Sequence, residues 1–164
     1  STHDRTLAVQ AVAKGPQPKW DVVMVRHSVV HPGAEAELFA LARKRGVSVL
    51  TFSALSYGRA LGAPAFPSAA EAYRYSLSQP GVTAVVSAPR TPRELQENLT
   101  VLDQPNLDVT RQVELRDHGR VVHAESQAFA THIRRFAPRL LPSAHTEDDD
   151  IVHASEESDP RFLT

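Results

Sequence analysis

Short runs of consecutive apolar residues alternate along this chain with stretches in which apolar residues recur every three to four positions. The runs are 21–28 (DVVMVRHS), 47–52 and 82–86, and each has the β-branched composition of a strand buried on both faces. The periodic stretches read as helices. One covers 5–14, with Gly15-Pro16 as its stop. The next covers 34–45, with Leu38, Phe39, Leu41 and Ala42 on its apolar side and Gly46 past its end. A third covers 69–78 and opens on a Ser68/Glu71 capping box. A fourth starts at Thr91 as N-cap, with Pro92 at the first helical position, Glu94 three residues after the cap, and Leu95, Leu99 and Leu102 as an expected buried face. Two further helices are expected at 108–122, capped by Asp108, and at 126–136.

Apolar strands alternating with helices predict an α/β fold with a parallel sheet and crossover helices. Two architectures satisfy the pattern: an open doubly wound sheet, or part of an eight-stranded barrel, which three strands are too few to close. Residues 1–137 form the expected domain. Residues 138–164 are proline-punctuated and acidic, with Glu147-Asp148-Asp149-Asp150 and then Glu156-Glu157, and are expected to be poorly ordered. The first residues, Ser1-Thr2-His3-Asp4-Arg5, look like a strand end leading into a helix, so we expect a start produced by cutting or truncation.

Composition narrows the function classes. The 164 residues carry a formal charge of −1, with neither a basic stripe for nucleic acid nor an acidic coat. The absence of cysteine excludes disulfides, thiolate chemistry, iron–sulfur clusters and zinc–cysteine sites. No apolar run approaches the roughly 20 residues of a membrane helix, and no signal peptide is visible. The expected setting is cytoplasmic.

The candidate chemistry lies between the 82–86 strand and the helix after Thr91. A helix N-terminus pointing back at a strand's carboxyl end offers N–H groups and a positive dipole end, and Arg90 stands beside it. An anion, a phosphate above all, suits that turn; the plainer alternative is a βα unit with an exposed arginine. Glu97 and Asn98 sit on the first turns of the same helix. Ser53, Ser56 and Tyr57 follow the end of another strand, where α/β active sites form, although loop hydroxyls are commonly turn-formers. His27 and His31 stand four apart, but in a strand-to-turn segment without a well-placed carboxylate, which argues against a metal. His118 and His123 read as surface positions of a helix.

Read together, several segments resemble the aldo-keto reductase family. GVSVLTFSALSYGRAL (46–61) is similar to that family's seventh strand and following loop, and VTAVVSAPRTPRELQENL (82–99) to its eighth strand and cofactor helix. HPGAEAELF and AYRYSLSQPGVTAVV resemble a bacterial branch, and Ser1-Thr2 matches the Ser-Asn pair ending the fifth strand. The resemblance runs from Ser1 to about His123, and its most specific part is Glu97-Asn98, seven residues after Arg90.

The resemblance implies the C-terminal part of a (β/α)8 TIM barrel, about strands six to eight with flanking helices. It also implies NADP(H) rather than NAD(H), bound across the carboxyl face for hydride exchange with a small carbonyl substrate. On that basis Phe52 stacks on the nicotinamide, Ser1 and Thr2 hold its carboxamide, and Ser53, Leu55 and Gly58 line the pyrophosphate. Arg90 and Thr91 meet the 2′-phosphate, and Glu97 and Asn98 face the adenine. Met24 stands where the family usually has Gln, and Glu94 where it has Gln or Arg; a carboxylate there opposes a 2′-phosphate. The family's catalytic Asp, Tyr, Lys and His lie on its first four strands, so this chain is expected to need an N-terminal half as partner. The alternative is a non-catalytic, reductase-like binding or assembly module.

Overall fold

The computed structural model describes residues 1–14, 16, 20–61 and 68–136. Gly15, the expected helix stop, and the 138–164 tail lie outside the described residues. The chain divides into two compact units, Ser1–Ser126 and Gln127–Thr164. The sheet and its apolar clusters belong to the first.

Three strands, β1 (Val22–Arg26), β2 (Ser48–Phe52) and β3 (Val82–Val85), form a parallel sheet in the order β1-β2-β3. Val22 pairs with Ser48 and Arg26 with Phe52; a register irregularity at Val49/Leu50 precedes the pairing of Thr51 with Val85. Thr2 forms an isolated parallel bridge to Val25 on the other side of β1. Strands adjacent in sequence are thus adjacent in the sheet, the order found around a barrel wall.

Alternation along the strands decides which face is covered. Val25 and Val49 are buried with Val12 and Ala8 of α1 (Arg5–Ala13) and with Leu38, Phe39 and Ala42 of the next helix. Their neighbours in sequence, Met24, Leu50 and Phe52, are only half-buried on the opposite face. Helices therefore cover one face, and among the described residues the other remains open.

The helix ends follow local chemistry. Asp4 caps α1 through Leu7 N–H, and Ser68 and Glu71 form a complete capping box on α3 (Ala69–Leu77). Thr91 accepts from Glu94 N–H at the start of α4 (Pro92–Leu99). The expected 34–45 helix begins as a π-helical turn, Glu35–Phe39, before α2 (Ala40–Arg45), and ends on Gly46 at φ 69°.

Two expectations are corrected. Leu95, Leu99 and Leu102 are 46%, 49% and 75% exposed, and it is Val101 that is buried. α4 packs on α3 beside the outer strand β3, and among the described residues no element lies beyond that strand to cover the leucines. The two helices expected after Asp108 are one, α5 (Val109–Phe136). The 123–125 segment contains neither Gly nor Pro, so nothing interrupts the hydrogen-bond ladder there. Among the described residues no helix is long and apolar enough to cross a membrane.

Candidate functional site

The carboxyl end of the sheet gathers most of the expected residues. Thr2 N–H donates to the Met24 carbonyl at 2.9 Å, fixing Ser1 and Thr2 beside the end of β1. Phe52 closes β2 on the open face, and its ring meets His3 edge-on at 4.8 Å. It is not a fully buried core aromatic.

The following loop is held in left-handed backbone: Ser53 at φ 59°, Ser56 at 47°, Tyr57 at 57° and Gly58 at 87°. For three non-glycine residues this is strained backbone, of the kind concentrated at ligand-binding loops. Buried Ser56 is tied to buried Ser28 by a 2.8 Å hydroxyl–hydroxyl bond. Leu55 is half-buried, while Tyr57 and Gly58 project outward.

The turn before α4 is arranged differently from the sequence reading. Its anion position is taken by the chain's own Glu94: Arg90 N–H donates to Glu94 Oε2 at 2.6 Å, and the Arg90 guanidinium lies 3.7 Å from Oε1. The carboxylate reaches one residue beyond the N-cap, binding Arg90 instead of Thr91. Arg90 is otherwise solvent-exposed. Asn98 turns toward the end of β3, and its Nδ2 donates to Ser87 Oγ at 2.8 Å; Ser87 in turn donates to the Tyr73 hydroxyl at 3.2 Å. The buried Asn98 Oδ1 has no partner among the described residues. Glu97 is exposed.

A second polar centre, absent from the sequence reading, lies behind the sheet. Glu35 Oε1 accepts from the Tyr75 hydroxyl at 2.7 Å and from His27 Nε2 at 3.0 Å, and its Oε2 accepts from Arg116 Nη2 at 2.9 Å. The other ring nitrogen of His27 lies 2.9 Å from Ser76 Oγ. Burial pushes the Glu35 carboxyl up, but the hydrogen bonds from His27 and Tyr75, with the charge of Arg116, outweigh it and leave the pKa below the usual carboxylate range. Burial lowers the His27 pKa more than Glu35 raises it, so the ring is neutral. Nε2–H therefore donates to Glu35, and Nδ1 accepts from Ser76.

Ser76, His27 and Glu35 form a serine–histidine–carboxylate series, but Ser76 is fully buried in α3, where no substrate carbonyl can reach it. The centre is a clamp joining β1, the π-turn, α3 and α5. One signal pointed to it: Glu35 shares the helical face of Leu38, Phe39 and Ala42, an apolar stripe where a lone carboxylate needs partners.

His31, four residues on, has a different environment. Its ring meets His123 edge-on at 5.8 Å. Burial, followed by the charges of Arg26, His123, Arg59 and His27, lowers its pKa to about 4. The unfolded histidine, near 6.5, binds more protons than the folded one between those values, so stability falls as pH drops from about 6.5 toward 4. Urea midpoints of the complete protein should decline across that window, and His31→Asn should flatten the decline. Identical pH profiles for the two proteins would contradict this assignment.

No protein-family model and no curated protein sequence matches the chain. Among solved structures it is similar to the aldo-keto reductase AKR11C1 from Bacillus halodurans in its holo form, at 14% identity and a TM-score of 0.54. The match covers 71% of this chain and 47% of that one, so the chain spans about half the length of that reductase. What the two share is the fold: a parallel sheet with flanking helices, consistent with part of a TIM barrel.

Proposed function

We propose that this chain is the C-terminal portion, about strands six to eight, of a cytoplasmic aldo-keto-reductase-like barrel that reduces an aldehyde or ketone with NAD(P)H. An N-terminal half supplies the catalytic residues. The observation that carries this reading is the common edge on which Thr2, Phe52, the strained Ser53–Gly58 loop and the start of α4 meet, at the strand ends where barrel enzymes build their sites.

The residues fit a nicotinamide nucleotide in most respects. The open-face ring of Phe52 offers a stacking surface, with Ser1 and Thr2 at the adjacent strand end for a carboxamide. The loop of Ser53, Leu55 and Gly58 presents backbone to a pyrophosphate. Arg90 and Thr91 face a 2′-phosphate. Glu97 borders the adenine, and Asn98 has an unpartnered buried oxygen to offer it. When bound, such a cofactor supplies the hydride; this chain's residues bind and orient it. Glu94 is the poor fit, because its carboxylate already holds the Arg90 N–H that a phosphate would take.

Fluorescence titration of the complete protein with NADPH and NADH tests this. Arg90→Ala should weaken NADPH by about 1–3 kcal/mol, the worth of a charge-assisted hydrogen bond, and leave NADH nearly unchanged. Glu94→Gln should strengthen NADPH. Equal losses for both nucleotides in Arg90→Ala would remove the phosphate role, and failure of both nucleotides to bind the wild-type protein would end the proposal.

A further inference from the structure

Two rings from distant segments meet at the carboxyl end of the sheet. The His3 ring lies edge-on to Phe52, with centroids 4.8 Å apart and planes at 74°. Such T-shaped pairs are a preferred aromatic geometry. We propose that His3 is a positioning residue for the nicotinamide end of the site, holding the Phe52 ring in the orientation in which it stacks on the cofactor. This role rests on the nucleotide reading above and adds a residue that acts through the stacking ring.

The backbone fixes where the His3 ring can go. Thr2 bridges Val25 on one side of β1, and Phe52 pairs with Arg26 on the other. The His3 ring therefore reaches across the end of β1 to meet Phe52. His3 sits at the apex of a bend closed by its two neighbours: Asp4 N–H donates to Thr2 Oγ1 at 2.9 Å, and the Thr2 hydroxyl donates to the Asp4 carbonyl at 3.3 Å. Both ends of the bend are anchored, since Thr2 N–H donates to the Met24 carbonyl and Asp4 caps α1. On the facing strand the Phe52 carbonyl accepts from His27 N–H at 3.1 Å, and Ser53 directly after it is left-handed. What remains free in Phe52 is the side chain.

That freedom matters at this position. Phe52 is half-buried and belongs to none of the apolar clusters among the described residues, so core packing does not select its rotamer. Several staggered wells compete for such a ring. A binding-competent rotamer that is only partly populated lowers the apparent affinity by that fraction. The His3 contact removes the loss before the cofactor arrives. His3 is itself exposed, so substituting it leaves the core untouched.

Calorimetric titrations of the complete protein with NADPH and with 2′-phospho-ADP-ribose, the same molecule without nicotinamide, test the role. NADH and ADP-ribose form the equivalent pair for a protein that prefers NADH. His3→Ala should weaken NADPH by about three- to tenfold, the range set by the competing rotamers and by the strength of an aromatic pair. It should leave 2′-phospho-ADP-ribose unchanged. His3→Phe, which keeps a ring, should restore NADPH binding. In a Phe52→Leu background His3→Ala should have no further effect, because no ring is left to hold. Unaltered NADPH binding in His3→Ala, equal losses for both ligands, or a loss of full size in the Phe52→Leu background overturns the positioning role and leaves the nucleotide reading in place. Wild-type protein that binds neither NADPH nor NADH overturns both.

Discussion

Glu35→Ala should destabilise the complete protein by about 3 kcal/mol, because it strands three donors at once. His27, Tyr75 and Arg116 all hydrogen-bond this one carboxylate, and His27 is fully buried. Removing one partner of a buried ion pair typically costs about 3–5 kcal/mol. Arg116 is a third exposed and can turn toward water, which places the loss at the lower end of that range. Tyr75→Phe keeps the ring that stacks on His27 and deletes two hydrogen bonds, the one donated to Glu35 and a longer one accepted from Arg116 Nε at 3.3 Å, so it should cost only about 1–2 kcal/mol. Denaturant unfolding of both variants checks the pair. If Glu35→Ala costs no more than Tyr75→Phe, the carboxylate is not the hub of the cluster.

The second large effect concerns Gly119. Helix propensity alone predicts that Gly119→Ala in the middle of α5 stabilises the protein by about 1 kcal/mol. The structure predicts the opposite. A Cβ on Gly119 would run into the Val29 carbonyl, and backbone cannot move aside as a flexible side chain can. Overpacking of this kind costs about 1–3 kcal/mol. The penalty should rise again in Gly119→Val. Because α5 buries Leu115 and Val122 against Val29, Val30, Ala60 and Tyr75, the loss should also appear as faster amide exchange in those segments. A thermal midpoint raised by Gly119→Ala would refute the close crossing.

The sequence made local features legible and hid those that depend on distant partners. Ser68/Glu71, Thr91-Pro92 and Gly46 each announce a helix boundary through chemistry complete within four residues, and all three appear as read. Strand positions were legible because continuous apolar runs of that length have few other solutions. The π-turn at Glu35–Phe39 was not, since an added residue in a helical turn leaves the apolar spacing almost unchanged. The leucines of α4 show the limit of periodicity, which identifies an apolar face but not what covers it. At the candidate site, the residue types around Arg90 suggested an anion. That the anion is the protein's own Glu94 depends on a side-chain rotamer. The Glu35 cluster joins residues from 8 to 81 positions apart, so no local window contains it.

That 81-residue span has a consequence for the order in which the molecule assembles. β1 reaches β2, and β2 reaches β3, across single helical crossovers, with Val22 meeting Ser48 and Val49 meeting Val82. Each pairing closes a modest loop and can form as soon as its own helix has condensed. The Arg116–Glu35 contact has no such shortcut, and its closure entropy falls due only after the intervening strands are in place. Docking of α5 is therefore expected to come late in folding. Substitutions at that interface should act mainly on the rate of unfolding and leave the rate of folding nearly unchanged.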